Sequence, residues 1–235
     1  MSYQLSLNLR LKDGSSFSNF LATANLEALE RLRSAVVAAA QGETREPALF
    51  LWGASGSGNT HLLQAACRLA QEFGISPVYV PLRETSDLSI SLLEDVGDMP
   101  LVCLDDVDCI AGKPEWETAL FSLSEHLRHA RGTLIAAAAG GPNHIGLRMP
   151  ELSTRLAWGP VYQLQPLDDV EKLDAVRLRA RNRGFEMSEE VVRYILNRYP
   201  RDTHSLFGLL DRIDRASLAH QRRVTIPFIR SLEAG

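Results

Sequence analysis

The segment Gly53-Ala54-Ser55-Gly56-Ser57-Gly58-Asn59-Thr60 has the residue types and spacing of a loop that cradles phosphate, with one chemical group replaced. It follows the pattern G-x-x-x-x-G-K-[ST], except that Asn59 stands where the pattern has lysine. Glycines let such a loop curl until backbone N–H groups converge on phosphate oxygens, and the helix that follows adds the positive end of its dipole. Gly53, Ser55, Gly56, Ser57, Gly58, Asn59, Thr60 and the adjoining His61 are the candidate nucleotide-binding residues. Thr60 brings a hydroxyl of the kind that ligates magnesium beside the phosphates. The lysine of the pattern would neutralise the β- and γ-phosphates. Asn59 carries no charge, so the loop keeps its shape while rapid hydrolysis of a nucleoside triphosphate is not expected.

Other glycine patterns fit less well. A dinucleotide loop G-x-G-x-x-G needs glycine where His61 stands, and a nucleophile elbow around Ser55 needs glycine where Ser57 stands. An ordinary glycine-rich turn fits as well, but the loop lies between an apolar run and a helical pattern, which is the context a phosphate loop requires. About 45 residues on, Leu101-Val102-Cys103-Leu104 ends in Asp105-Asp106. Strand C-termini of a parallel sheet line one crevice, so these carboxylates share an edge with the glycine loop. Asp105 is expected to meet a magnesium ion through water and Asp106 to orient an attacking water. The plainer reading is a turn or cap, where aspartate is common.

The elements that must position these groups alternate. Ala48-Leu49-Phe50-Leu51-Trp52 reads as a buried strand, and Leu62, Leu63, Ala66, Leu69, Ala70 and Phe73 recur at helical spacing. Ahead of them a helix runs from Asn25 to a break at Gly42. Further strands are predicted at Pro77–Pro81, Leu101–Leu104, Thr133–Ala139 and Val161–Leu164, with helices at Leu88–Val96 and Glu117–Arg131. This alternation predicts an α/β fold with a three-layer parallel sheet. Past Gln165-Pro166 only helical patterns remain: Asp168–Arg183, Ser188–Tyr199, Thr203–His220 and Thr225–Leu232, with Asp168 and Ser188 as N-caps and Gly184 as a stop. The expected organisation is an arm at 1–15, an α/β base at 16–165 and a small all-α subdomain at 166–235.

Three further features bear on function. Arg155, on a short helix ahead of the last strand, is a residue type that stabilises charge on a transferring phosphoryl group, although a surface arginine is the commoner outcome. Gln4-Leu5-Ser6-Leu7-Asn8-Leu9 alternates, so an extended arm would present Leu5, Leu7 and Leu9 on one side to a partner's groove; an edge strand or frayed end fits equally. Arg177, Arg179, Arg181 and Arg183 spread around a helix among Glu171, Asp174 and Glu186, as expected of a solvated face. The net charge of −4 argues against duplex DNA as the main ligand. Cys67, Cys103 and Cys109, an odd number without C-x-x-C spacing, fit reduced thiols in a cytoplasmic protein, with no signal peptide or membrane span expected. The six histidines have no metal-ligand spacing.

Taken together, the arm, Phe17-Ser18-Asn19-Phe20, the 53–60 loop, Leu104-Asp105-Asp106, Ser153-Thr154-Arg155-Leu156-Ala157-Trp158-Gly159 and the tail from Leu178 to Phe228 resemble the AAA+ family of ATPases, and within it the DnaA-related replication proteins. The resemblance spans nearly the whole chain and implies an AAA+ P-loop base with a helical lid. In the regulatory branch of that family an N-terminal peptide binds the DNA polymerase sliding clamp (its beta subunit), the protein holds ADP, and an arginine finger completes the ATPase site of the initiator DnaA. DnaA-bound ATP is then hydrolysed and re-initiation is prevented. By match, Arg155 is that finger, and Gln4, Leu5, Ser6, Leu7 and Leu9 are the clamp-binding residues, which implies a cytoplasmic, replisome-associated protein that meets DNA only through the clamp. His204 stands where the family has the sensor-2 arginine of the lid, and Ala139-Gly140 where relatives have a polar sensor-1 residue. With Asn59, these departures remove groups aimed at a γ-phosphate. ADP is thus the expected nucleotide, with ATP and Mg2+ compatible, and the chain is expected to activate hydrolysis in DnaA more than to turn over ATP itself. A helicase-loader-type AAA+ ATPase acting on single-stranded DNA and a DNA-binding initiator fragment are the other readings; self-association stays open.

Overall fold

Three strands whose residues are apolar on both faces form the middle of a parallel sheet. The computed structural model describes residues 15–43, 48–84, 89–200, 202–220 and 224–232, with the side chains of 204 and 217–220 outside that description. Strands β1 (Ala48–Trp52), β3 (Leu101–Asp105) and β4 (Thr133–Ala138) are almost wholly buried, and β2 (Pro77–Pro81) and β5 (Val161–Gln163) flank them in the order β2-β3-β4-β1-β5. All pairings are parallel, with Phe50 opposite Ala136 and Cys103 opposite Ile135. Continuous apolar runs of this kind are what a sheet covered on both sides demands.

Helices α1 (Leu26–Ala40) and α2 (Asn59–Glu72) cover one face. The other face carries α3 (Ser91–Asp95), α4 (Pro114–Ala130) and α5 (Pro150–Leu156), whose Leu93, Leu120, Leu127 and Leu152 pack with Phe50, Val102, Leu104, Leu134 and Ala136. Side chains alternate along a strand, so Leu49, Leu51, Cys103 and Ile135 face α1 and α2. This is the predicted three-layer α/β architecture. Two helix boundaries differ from expectation. The helix expected over Leu88–Val96, of which Leu88 lies outside the described residues, is α3, Ser91–Asp95. The helix expected from Glu117 begins at Pro114, because a proline at the first helical position has no N–H to leave unpaired.

The chain clusters into two units, one comprising Ala22–Gln165 with the residues ahead of Ser18, the other Ser18–Leu21 with Pro166–Gly235. Among the described residues the second is all-helical: α6 (Asp169–Asn182), α7 (Glu189–Arg198), α8 (Thr203–His220) and α9 (Ile226–Ser231). Asp168 and Glu171 close a capping box on α6, and Ser188 and Thr225 cap α7 and α9. Val192, Ile195, Leu210, Ile213 and Ile229 form its core. Asn182 donates to the Ser18 carbonyl and to Asn19 Oδ1, which ties residues 18–19 to this unit. The arginine series is not a uniformly solvated face. Arg179 is largely buried with its guanidinium 3.3 Å from the Phe207 ring centre, and burial pushes its pKa down to about 10. Arg183 is mostly covered and pairs with Asp211, while Arg177 lies near Glu189 as the solvated reading expects.

Candidate nucleotide site and the Arg155 cluster

The glycine loop emerges from β1 and passes straight into α2. Gly58 has φ +109°, a left-handed conformation that disfavours any side chain, and its carbonyl accepts the first helical bond from Leu62. Ser55 and Gly56 form the exposed crest of the loop, and Gly53 and Ser57 lie buried beneath it. Asn59 turns toward the sheet. Its Nδ2 donates to the Ala138 carbonyl at 3.0 Å, the carbonyl that also accepts the Gly53 N–H at 3.3 Å. The amide therefore fastens the loop to the end of β4, where a lysine would reach for phosphate. Asn59 Oδ1 and Ser57 Oγ are buried without a hydrogen-bond partner among the described residues. Buried polar atoms are nearly always satisfied, so two orphans under one loop point to a ligand or water that completes them.

Asp105 closes β3 and is 3% exposed. Its carboxylate accepts from the Thr60 hydroxyl, from Tyr79 Oη at 2.8 Å and from the Asp106 N–H at 3.1 Å. Burial pushes its pKa up, against the pull of the Thr60 and Tyr79 bonds. The structure thus joins Thr60 and Asp105. Asp106 takes a left-handed φ of +57°, and both its oxygens are held by Arg83, through Nε at 3.0 Å and Nη2 at 2.8 Å. The residue expected to orient water is engaged in a two-pronged ion pair. Ala139, just past the end of β4, donates its N–H to Asp108 Oδ1 at 3.0 Å. His61 Nε2 lies 2.8 Å from the Ser16 carbonyl. His204 belongs to α8, with its side chain outside the described residues, and Gln4, Leu5, Ser6, Leu7 and Leu9 also lie outside them. No group of three or more His, Cys, Asp or Glu able to hold a metal occurs among the described residues.

Arg155 sits in the last turn of α5, on the sheet face opposite α2. Its Nη2 is 2.6 Å from Glu125 Oε1, and its guanidinium lies 4.0 Å from the Trp158 ring centre and 5.9 Å from that of Phe121. Oε1 has no aligned hydrogen bond, so the contact is an ion pair without hydrogen-bond geometry. Arg128 shares the cluster, 3.1 Å from Glu125 Oε2. The Arg155 side chain keeps 22% of its surface exposed and Trp158 58%. Two devices set this helix. Glu117, 1% exposed, accepts the N–H groups of Gly112, Arg148 and Met149 within 3.1 Å, which pins the loop that launches α5. A Cβ at Gly159 would lie 1.7 Å from the Ala48 carbonyl oxygen, so only glycine lets the chain leave Trp158 and pass against β1. Tyr79, Arg83, Asp108, Glu117 and Glu125 were not singled out by sequence. A lone tyrosine inside a strand is the one usable signal, since its hydroxyl needs a partner.

The Hda lid domain family matches residues 169–232. Among solved structures, AMPPCP-bound DnaA from Aquifex aeolicus is 23% identical, with a TM-score of 0.70 over 87% of this chain and 66% of that one. Domain III of the Thermotoga maritima replication initiation protein DnaA is 21% identical, with a TM-score of 0.71 over 94% and 95%. A structure described as a DNA replication initiation factor is 22% identical, with a TM-score of 0.70 over 86% of this chain and 64% of that one. This chain thus spans just under two thirds of the longer proteins it matches and nearly all of the isolated domain III. The C-terminal helical unit carries the likeness to the Hda lid domain, and the chain as a whole has the fold of DnaA domain III. No helix among the described residues is long and apolar enough to cross a membrane.

Proposed function

We propose that this chain is an Hda-like AAA+ protein that holds ADP and restrains replication initiation by supplying Arg155 to the ATP site of DnaA while tethered to the sliding clamp. The observation that carries the reading is the Hda lid at 169–232 joined to a DnaA-like base whose phosphate loop has Asn59 for lysine. The groups that would face a γ-phosphate are absent or turned inward. Asn59 is bonded to Ala138 and Asp106 to Arg83. A diphosphate asks less of the loop: backbone N–H groups, the helix dipole and the Ser57 hydroxyl suffice. Thr60 directly and Asp105 through water are the oxygen groups that suit magnesium, which takes few protein ligands and completes its shell with phosphates and water. The bound ion would offset phosphate charge in place of the missing lysine.

Arg155 is separated from Thr60 by the sheet, which favours action on a neighbour's nucleotide over its own. Its guanidinium fork matches charge developing on γ-phosphoryl oxygens, an effect worth roughly 10³-fold or more, or about 4 kcal/mol. The test is DnaA-bound ATP hydrolysis in the presence of clamp and DNA. Arg155→Ala should fold, bind ADP and load on the clamp normally, yet lose the stimulation; Arg155→Lys should restore little. Gln4→Ala with Leu7→Ala should abolish loading. An Arg155→Ala protein that drives hydrolysis at the wild-type rate overturns the reading.

A further inference from the structure

A directed row of hydrogen bonds leads from the residues just ahead of the base into the magnesium-ligand pair. Ser15 Oγ donates to Gln64 Oε1 at 3.0 Å; both residues are more than nine-tenths buried. Gln64 in turn bonds the Tyr79 oxygen, and Tyr79 Oη donates to Asp105 Oδ2 at 2.8 Å. The Thr60 hydroxyl completes the row on the far side of Asp105. A hydroxyl has one proton, so each bond decides the next. With its oxygen committed to Ser15, Gln64 turns its NH2 toward Tyr79, and the single Tyr79 proton is left for Asp105. Without Ser15 Oγ, the Gln64 oxygen loses a donor that fixes which way the amide faces, and the Tyr79 proton is less firmly directed at Asp105. A second bond, His61 to the Ser16 carbonyl, fixes the same residues to the first turn of α2.

We propose that Ser15, Gln64 and Tyr79 are positioning residues that orient the Asp105 carboxylate for a divalent cation carried by a nucleoside diphosphate, which couples the segment at Ser15 to occupancy of the site. The proposal rests on the nucleotide reading above. Buried polar networks are retained at a cost unless fully satisfied, and partners that orient a metal-ligating carboxylate set metal affinity strongly. The coupling is reciprocal: a pull on the chain ahead of Ser15 weakens Mg·ADP, and Mg·ADP tightens the hold on Ser15.

The test is calorimetry of ADP binding to the full chain, with Mg2+ and with excess EDTA, on wild type, Tyr79→Phe, Ser15→Ala and the double variant. Tyr79→Phe should weaken Mg·ADP by about 10-fold while moving metal-free ADP by less than about twofold. Ser15→Ala should act in the same direction, by roughly threefold, again only with Mg2+. The double variant should match Tyr79→Phe alone, because the Ser15 effect travels through the Tyr79 proton. Equal losses with and without Mg2+, or additive losses in the double variant, would overturn the relay and leave a merely structural network. Thermal unfolding without nucleotide checks folding, and should Tyr79→Phe not fold, the Mg2+ dependence of Ser15→Ala decides alone. A wild-type chain that binds ADP in neither condition removes the nucleotide reading itself.

Discussion

An asparagine at position 59 trades a group that reaches out to phosphate for one that reaches in to the sheet. The bond to the Ala138 carbonyl is neutral and shares its acceptor with Gly53, so its net worth is about 1 kcal/mol. A charge-assisted contact to phosphate is worth roughly 1.5–3 kcal/mol. Asn59→Lys should therefore bind ADP roughly 10- to 100-fold more tightly by calorimetry. The same change gives up the loop-to-β4 bond, so the nucleotide-free protein should melt slightly lower. ADP affinity that stays put would mean the loop no longer places residue 59 near phosphate. The substitution itself was plain in the sequence, because a motif defines each position. Its partner was not: Ala138 lies 79 residues away, and only the parallel pairing of β1 with β4 brings it to the loop.

At the scale of elements, Glu117 does for α5 what a glycine cannot. One buried carboxylate gathers three backbone N–H groups, from Gly112, Arg148 and Met149, and so fixes where the chain turns into Pro150. Glu117→Ala would leave those donors buried and unsatisfied, at a cost of about 3 kcal/mol or more. Glu117→Gln keeps one acceptor oxygen and should cost less than half of that. Both are read by denaturant unfolding, and Glu117→Gln should also lower the proposed stimulation of DnaA, since α5 carries Arg155. Unchanged stability in Glu117→Ala would show that water replaces the carboxylate. The strands and long helices were readable because each carries its own signal: apolar runs for β1, β3 and β4, caps at Asp168 and Ser188, a stop at Gly184. Glu117 was not, since a glutamate early on a helix looks like a solvated residue until the loop at 148–149 folds over it. The arginines of α6 misled for a related reason: helical spacing shows the angle at which Arg179 leaves α6, but not that Phe207 of α8 lies there.

For the whole molecule, the arrangement around Arg155 sets what the protein can do before it meets a partner. The guanidinium that is proposed to act in trans is held within its own base, by the Glu125 carboxylate and the Trp158 ring. Arg128 competes for the same carboxylate, so Glu125 stands between two arginines. A neighbour's γ-phosphate carries more negative charge than one shared glutamate, and can draw Arg155 away while Arg128 keeps Glu125 neutralised. The restraint is small, because both side chains are about a quarter exposed and such pairs are worth about 1 kcal/mol or less. Removing the glutamate's charge should therefore raise the share of molecules with Arg155 ready to engage. Glu125→Gln is expected to speed clamp-dependent hydrolysis of DnaA-bound ATP by roughly twofold to fivefold at limiting protein, with ADP binding and clamp loading unchanged. Salt should narrow the difference, since screening weakens the wild-type pair in the same way. Slower hydrolysis by Glu125→Gln would mean that the glutamate orients the arginine for its task and does not hold it back. In that case Trp158→Ala, which removes the ring but leaves the ion pair, should be the milder of the two variants.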